Sequence, residues 1–301
     1  MKLKSPYLVK PHTKVRLANL PTGDKGEFGD KAAIDALMAN HCKKLDDLQE
    51  LLYASQSKAL LIVLQGMDTA GKDGTIRHIF SGVNPQGCQV ASFKVPTQLE
   101  LRHDFLWRCH TQVPPKGMIG IFNRSHYEDV LSPWVHGHIT AKQAARHMEE
   151  IIDFERMLSD NGVVILKFFL HISRDEQTRR LQERIDEKKK HWKLSPADFE
   201  ERQFWPDYMR VYQDILSNTS KKHAPWFVIP SDHKPYRSVA ISSLIVEAME
   251  RMKLQYPKPT FDPSGIDLED ETPQETAKEI EAKVNSGAVS ANEVPSSSGR
   301  K

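Results

Sequence analysis

The chain has 301 residues, 39% hydrophobic, 27% charged and 8% aromatic, the composition of a globular enzyme and too apolar for a disordered chain. No apolar run is long enough to span a bilayer, and residues 1–20 lack the apolar core of a signal peptide, so no membrane partner is expected and the cytoplasm is the expected compartment. The net charge of +2 conceals an asymmetry: residues 261–301 carry nine acids against four bases, which leaves +7 on the rest, a body suited to a nucleotide, a phosphate polymer or nucleic acid.

Residues 1–30, with Pro6, Pro11 and Pro21 and no sustained periodicity, read as an irregular arm. A helix is predicted over Lys31 to Ala54, where Ile34, Leu37, Met38, Cys42, Leu45, Leu48, Leu51 and Leu52 recur at three- and four-residue steps. Short, unalternating apolar runs follow at Leu60 to Leu64, Ile119 to Phe122, Val163 to Leu170 and Trp226 to Ile229, with a weaker strand at Gln89 to Val95. Strands buried on both faces look like this, and helical stretches separate them, so the expected fold class is α/β with a central parallel sheet and right-handed crossovers.

Ser173-Arg174-Asp175-Glu176 has the form of a capping box, and Ser195-Pro196-Ala197-Asp198 supplies a Ser cap, Pro at the first helical position and an acid in the first turn. Helices are predicted near Arg174 to Lys189 and Pro196 to Asn218, with Pro206 bending the second or ending it early, and a last one near Ser238 to Met252. Beyond Pro257 the chain turns to Pro, Glu, Thr and Ser. The expected organisation is an arm over 1–30, one domain over 31–256 with a lid at about 174–200, and a disordered acidic and Ser-rich tail over 257–301.

Directly after the first strand comes Gly66-Met67-Asp68-Thr69-Ala70-Gly71-Lys72-Asp73-Gly74-Thr75. Gly, four residues, then Gly-Lys between a strand and a helix is the spacing of a P-loop: glycines let backbone N–H groups curl around a phosphate, the helix N-terminus adds partial positive charge, and Lys72 reaches the transferred phosphoryl. Gly66, Ala70, Gly71, Lys72, Asp73, Gly74 and Thr75 are thus candidate phosphate-binding positions. One departure stands out: where an ordinary ATPase has Ser or Thr on Mg²⁺, this loop has Asp73. Asp68 and Asp73 beside an anion site suit metal or water-shell ligation or the orienting of an acceptor phosphate, although for Asp73 compensation of the helix N-terminus explains the residue equally well.

At the end of the third strand, Asn123-Arg124 places polar side chains at the carboxyl edge of the sheet, where open α/β sheets bind ligands. Arg124 can fork two phosphate oxygens and the Asn123 carbonyl can complete a metal shell. Eight basic residues lie between Arg174 and Lys193, among them Arg180, Arg184, Lys188 and Lys189, interleaved by five acids. Such a segment is either a solvated helix face or a lid that closes over phosphates, and its position favours the lid. Cys42, Cys88 and Cys109 form no CxxC pair, no HExxH spacing occurs among the histidines, and there is no GxSxG elbow, so disulfide, zinc and serine-hydrolase chemistry are not indicated.

Together with Phe93-Lys94-Val95-Pro96, Asp104-Phe105-Leu106-Trp107-Arg108, Phe122-Asn123-Arg124-Ser125-His126-Tyr127-Glu128-Asp129-Val130, Trp192-Lys193-Leu194-Ser195-Pro196 and His223-Ala224-Pro225-Trp226, the loop resembles the polyphosphate kinase type 2 family over residues 30–256. The resemblance implies a thymidylate-kinase-like P-loop fold with a helical lid. It also implies reversible phosphoryl transfer between polyphosphate and adenine nucleotides, guanine nucleotides being left open, with Mg²⁺ as cofactor, replaceable by Mn²⁺, and assembly into a homo-oligomer, dimer or tetramer. Carried over by position, Asp68 and Lys72 are catalytic, Arg124 binds phosphate, Asp68 and Asn123 hold metal, and Arg184 with its neighbours forms the lid. Asn123 stands where many members have Asp, and the Asn-Arg-Ser-His-Tyr version resembles the branch that phosphorylates both mono- and diphosphates. The alternatives are an ATP-dependent nucleoside-monophosphate kinase and a non-enzymatic binder of polyphosphate or nucleic acid. The second leaves the loop carboxylates unexplained, and no nucleic-acid partner is expected.

Overall fold

The structure, a computed structural model, describes residues 5–23 and 28–261. The predicted disordered tail falls almost entirely outside them. The chain divides into two units, Met1–Gln255 and Tyr256–Lys301, and residues 256–261 of the second carry neither helix nor strand.

Five strands form one parallel sheet: β1 (Ala59–Gly66), β2 (Cys88–Ser92), β3 (Ile119–Asn123), β4 (Val163–His171) and β5 (Trp226–Pro230), in the order β2-β3-β1-β4-β5. The central strand β1 is buried along its whole length, which explains its unbroken apolar run. β2 lies on the edge and ends at Ser92, before the predicted Val95, which is exposed. On one face pack α1 (Lys31–Ser55), α2 (Lys72–Ile79) and α9 (Lys234–Glu250), and on the other α4 (Glu128–Val135), α5 (Ala141–Asp160) and α8 (Trp205–Thr219). The result is a three-layer α/β fold. A four-residue helix, α3 (Trp107–His110), precedes β3, while α6 (Arg174–Asp186) and α7 (Pro196–Glu201) follow β4.

The helix starts are set locally. Asp30 caps α1 by accepting from Ala33 N, and Thr140 with Gln143 forms a full capping box on α5, a helix the sequence reading did not single out. At α6 only half of the expected box forms: Ser173 accepts from Glu176 N, but the Glu176 carboxylate turns instead to Arg179 and Arg180. At α7 the Ser195 and Asp198 box is complete, with Pro196 in the first turn. The predicted helix to Asn218 breaks at a 3-10 turn, Arg202–Phe204, and resumes with Pro206 in the first turn of α8, where its missing N–H costs nothing.

The arm is irregular but packed. Leu8 bridges to Phe227, Val9 N donates to Trp226 O, Leu17 N donates to Gln213 of α8, and Val9, Val15 and Leu17 are buried. No helix among the described residues is long and apolar enough to cross a membrane.

Candidate phosphate-transfer site

The carboxyl edge of the sheet gathers the predicted site residues from three places in the sequence. β1 ends at Gly66, where a Cβ would meet the Leu170 carbonyl of β4 at 2.8 Å, so only glycine lets the loop leave the strand there. The loop turns through Thr69 at φ 65° and Gly71 at φ 103°, both left-handed, and Gly71 is the N-cap of α2. This turn brings the positive end of the α2 dipole to the mouth of the site.

Lys72 is buried, and its Nζ donates to the carbonyls of Gly66 (2.7 Å) and Met67 (3.3 Å), which fixes the ammonium at the loop. Burial pushes its pKa down, opposed chiefly by the charge of Asp68. Asp68 Oδ1 accepts from Arg124 at 3.0 Å, joining the loop after β1 to the end of β3. Arg124 holds a left-handed φ of 63° while its N–H continues the sheet to Leu64 O. For a non-glycine residue this conformation costs on the order of 1–3 kcal/mol, the kind of strain that collects at ligand sites. Burial works against the Arg124 charge, but Glu128 and then Asp68 outweigh it and hold its pKa above the ordinary value. Glu128, half-buried at the start of α4, is in turn raised by desolvation and lowered by Arg124 and Lys72. Asp73, in the first turn of α2, accepts from Asn123 Nδ2 at 2.6 Å.

The other predicted positions fall differently. Gly74 lies in the first turn of α2, and the Thr75 N–H is already bonded to Gly71 O, so Thr75 offers no backbone donor to a ligand. Its hydroxyl is buried without a hydrogen-bond partner among the described residues. Arg180 needs correction as a phosphate-binding lid residue. It is buried, and all five of its N–H donors are engaged: Nε with Glu176, one terminal nitrogen with Thr69 O and Ala70 O, the other with Ser231 O and Asp232 O. It braces the loop from behind, as does Gln177, whose amide donates to Asp68 O. The basic residues of this segment that keep donors free therefore begin after this braced turn. Arg184 is half-buried with a nitrogen 3.8 Å from Asp198 Oδ2, and Lys188 and Lys189 are exposed in a 3-10 stretch, Lys188–Lys193.

Sequence reasoning missed two features. Arg237 of α9 is buried and donates to Ala70 O at 3.0 Å; an arginine within an otherwise apolar helix face was the available signal. Lys167, buried within β4, donates to Glu155 Oε2 at 2.6 Å, Tyr127 Oη at 2.8 Å and Thr219 O at 2.9 Å. Glu155 also bonds His126 and Tyr127, so a fully buried polar knot holds the two residues just past Arg124 and Ser125.

A parallel sheet with a glycine loop after β1, a lysine at the head of the next helix and an arginine after β3 defines a P-loop kinase fold. The chain belongs to the polyphosphate kinase 2 family, whose sequence profile matches residues 29–257. It is 48% identical over 255 residues to an AMP/ADP-polyphosphate phosphotransferase of Meiothermus ruber, covering 84% of this chain and 95% of that one. It is 45% identical to an ADP-polyphosphate phosphotransferase of Rhodopseudomonas palustris, over 86% of this chain and 94% of that one. The crystal structure of polyphosphate kinase 2 from Arthrobacter aurescens superposes with a TM-score of 0.83 at 41% identity, covering 91% of this chain and 95% of the other.

Proposed function

We propose that this protein transfers phosphoryl groups reversibly between inorganic polyphosphate and nucleotides, making ATP from ADP and ADP from AMP. The observation that carries it is the convergence of Lys72, Asp68 and Arg124 at one carboxyl edge, on a loop that ends in a helix N-terminus. The terminal phosphate oxygen of the nucleotide attacks the end phosphorus of polyphosphate. One P–O bond forms, the P–O bond to the rest of the chain breaks, and the shortened polymer keeps the electron pair. The acceptor phosphate is already anionic near neutral pH, its second pKa being about 6, so no strong base is needed. Lys72 and Arg124 face the charge that spreads over the transferred oxygens, and Arg184, Lys188 and Lys189 close over it and exclude water. Asp68 holds the Arg124 guanidinium in place.

The donor set at this edge, the carboxylates of Asp68 and Asp73 and the Asn123 carbonyl, is all hard oxygen. It suits Mg²⁺, which is commonly held by one or two carboxylates plus substrate phosphates, and Mn²⁺ shares the preference. Asp68 and Asn123 would hold the ion, which supplies charge neutralisation between the phosphates. The absence of a fixed carboxylate at Asn123 is compatible with binding, since an amide oxygen coordinates without adding charge. We also assign the protein to the cytoplasm, where nucleotides are available, and as a homo-oligomer. The names of the Meiothermus and Rhodopseudomonas relatives support polyphosphate as donor over a second nucleotide.

The test mixes purified protein, Mg²⁺ and polyphosphate with AMP or ADP and follows nucleotides by chromatography. ATP from ADP, with ADP and then ATP from AMP, is the expected result. No product in either tube, alongside transfer from ATP to a monophosphate, would make it an ordinary nucleotide kinase.

A further inference from the structure

Behind the phosphate loop, two buried guanidiniums have one carboxylate partner between them among the described residues. Ala70 O accepts from two guanidiniums, Arg180 and Arg237, each at 3.0 Å. Arg180 has a carboxylate partner in Glu176 at 2.6 Å. Arg237 has none: it is 3% exposed, makes no ion pair among the described residues, and its Nε is buried without a hydrogen-bond partner. Its terminal nitrogens pack directly under Gly71 and Gly74, against the first turn of α2. That places a buried cation at the positive end of a helix dipole and next to a second buried cation, with the Ala70 carbonyl as the one hydrogen-bond acceptor of its side chain among the described residues. Desolvation and the Arg180 charge accordingly bring its pKa down to about 10.

A buried, uncompensated arginine destabilises the protein on its own, so its presence calls for a counter-charge supplied from outside. Among the described residues no carboxylate pairs with Arg237, and the face of the same loop opposite its guanidinium is the candidate phosphate site. We propose that Arg237 is a positioning residue that acts through the loop backbone: its unpaired charge is neutralised by the bound phosphates, so that stability is given up in the free protein and recovered as affinity for the phosphate chain. This rests on the phosphate-transfer function proposed above. Ala70 O keeps its bond from Arg180 when Arg237 is replaced, so a neutral substitution does not orphan that carbonyl.

The experiment compares wild type with Arg237→Met, which approximates the volume without charge, Arg237→Gln, which keeps a donor without charge, and Arg237→Lys, which keeps charge without the fork. Each is measured by thermal melting in anion-free buffer and by calorimetric titration with tripolyphosphate. The expected result is that the two neutral variants melt at or above wild type yet bind tripolyphosphate at least about tenfold more weakly, while Arg237→Lys stays within about threefold of wild type. Neutral variants that fold and bind within about twofold of wild type overturn the proposal, and so do neutral variants that fold but melt well below it, because Arg237 would then be stabilising by itself. If neither neutral variant folds, Arg237→Lys decides: near wild-type affinity supports the charge, and a tenfold loss overturns it in favour of the guanidinium geometry. A wild-type protein that does not bind tripolyphosphate removes the phosphate site and this proposal with it, an outcome separate from any difference among the variants.

Discussion

Asn123 Nδ2 donates to Asp73 Oδ1 at 2.6 Å, tying the last residue of β3 to the first turn of α2. The bond neutralises neither group but removes the repulsion that a carboxylate at position 123 would create. Asn123→Asp should therefore lower stability in metal-free buffer by about 0.5–1 kcal/mol, the scale of a partly exposed charge contact. Added Mg²⁺ should restore the melting temperature and tighten the Mg²⁺ dependence of turnover. Melting curves with and without Mg²⁺ check this; a variant whose stability ignores Mg²⁺ argues against metal at position 123.

Lys72→Ala should reduce transfer by at least about a hundredfold, the scale of losing one preorganised donor to a developing charge. The fold should survive, because the Lys72 ammonium is buried at a desolvation cost that the substitution relieves. Unchanged circular dichroism with retained turnover would sink the assignment of Lys72.

Gly71→Ala tests the loop rather than its charges. At φ 103° an L-residue is strained by on the order of 1–3 kcal/mol, and the added methyl would collide with the Arg237 guanidinium. Turnover should fall by more than about a hundredfold even if the protein folds, since the loop must shift away from its productive shape. A crystal structure of the variant with an unmoved loop would contradict this.

The Glu155 and Lys167 pair predicts a pH signature. Burial raises the Glu155 pKa, but Lys167 and His126 outweigh it, so the folded pKa lies below the ordinary 4.5. A depressed carboxylate pKa contributes stability that is present above the unfolded value and is lost as pH falls through the folded one. Glu155→Gln leaves Lys167 buried without its partner and should cost about 3–5 kcal/mol at pH 7. The gap between wild type and variant should narrow as the pH drops below 4.5, as wild type comes to resemble the variant. Urea unfolding across that range measures it, and a gap independent of pH would assign the cost to packing. The same variant should also weaken turnover, because the knot holds His126 and Tyr127 just past Arg124.

What could be read from the sequence follows from period and punctuation. The fully apolar runs at Leu60 to Leu64 and Val163 to Leu170 announced strands buried on both faces, and Gly66, Gly71 and Lys72 announced the phosphate loop, because glycine and lysine at that spacing answer to local backbone needs. The place of Asn123 and Arg124 at the carboxyl edge of the sheet was legible because they end a buried strand. What only the tertiary structure decided is which basic residues spend their donors bracing the loop and which keep them free. Arg180 and Arg184 lie one helical turn apart in the same charged segment, yet Arg180 is buried with its five donors spent on four carbonyls and Glu176, while Arg184 remains half-exposed beside Asp198. Arg237 and Lys167 interrupt an apolar helix face and an apolar strand, but nothing local names their partners, which lie 167 and 12 residues away in sequence. Helix propensity and hydrophobic period fix elements locally, but the value of a charge depends on its desolvation and on partners that only the folded chain brings near.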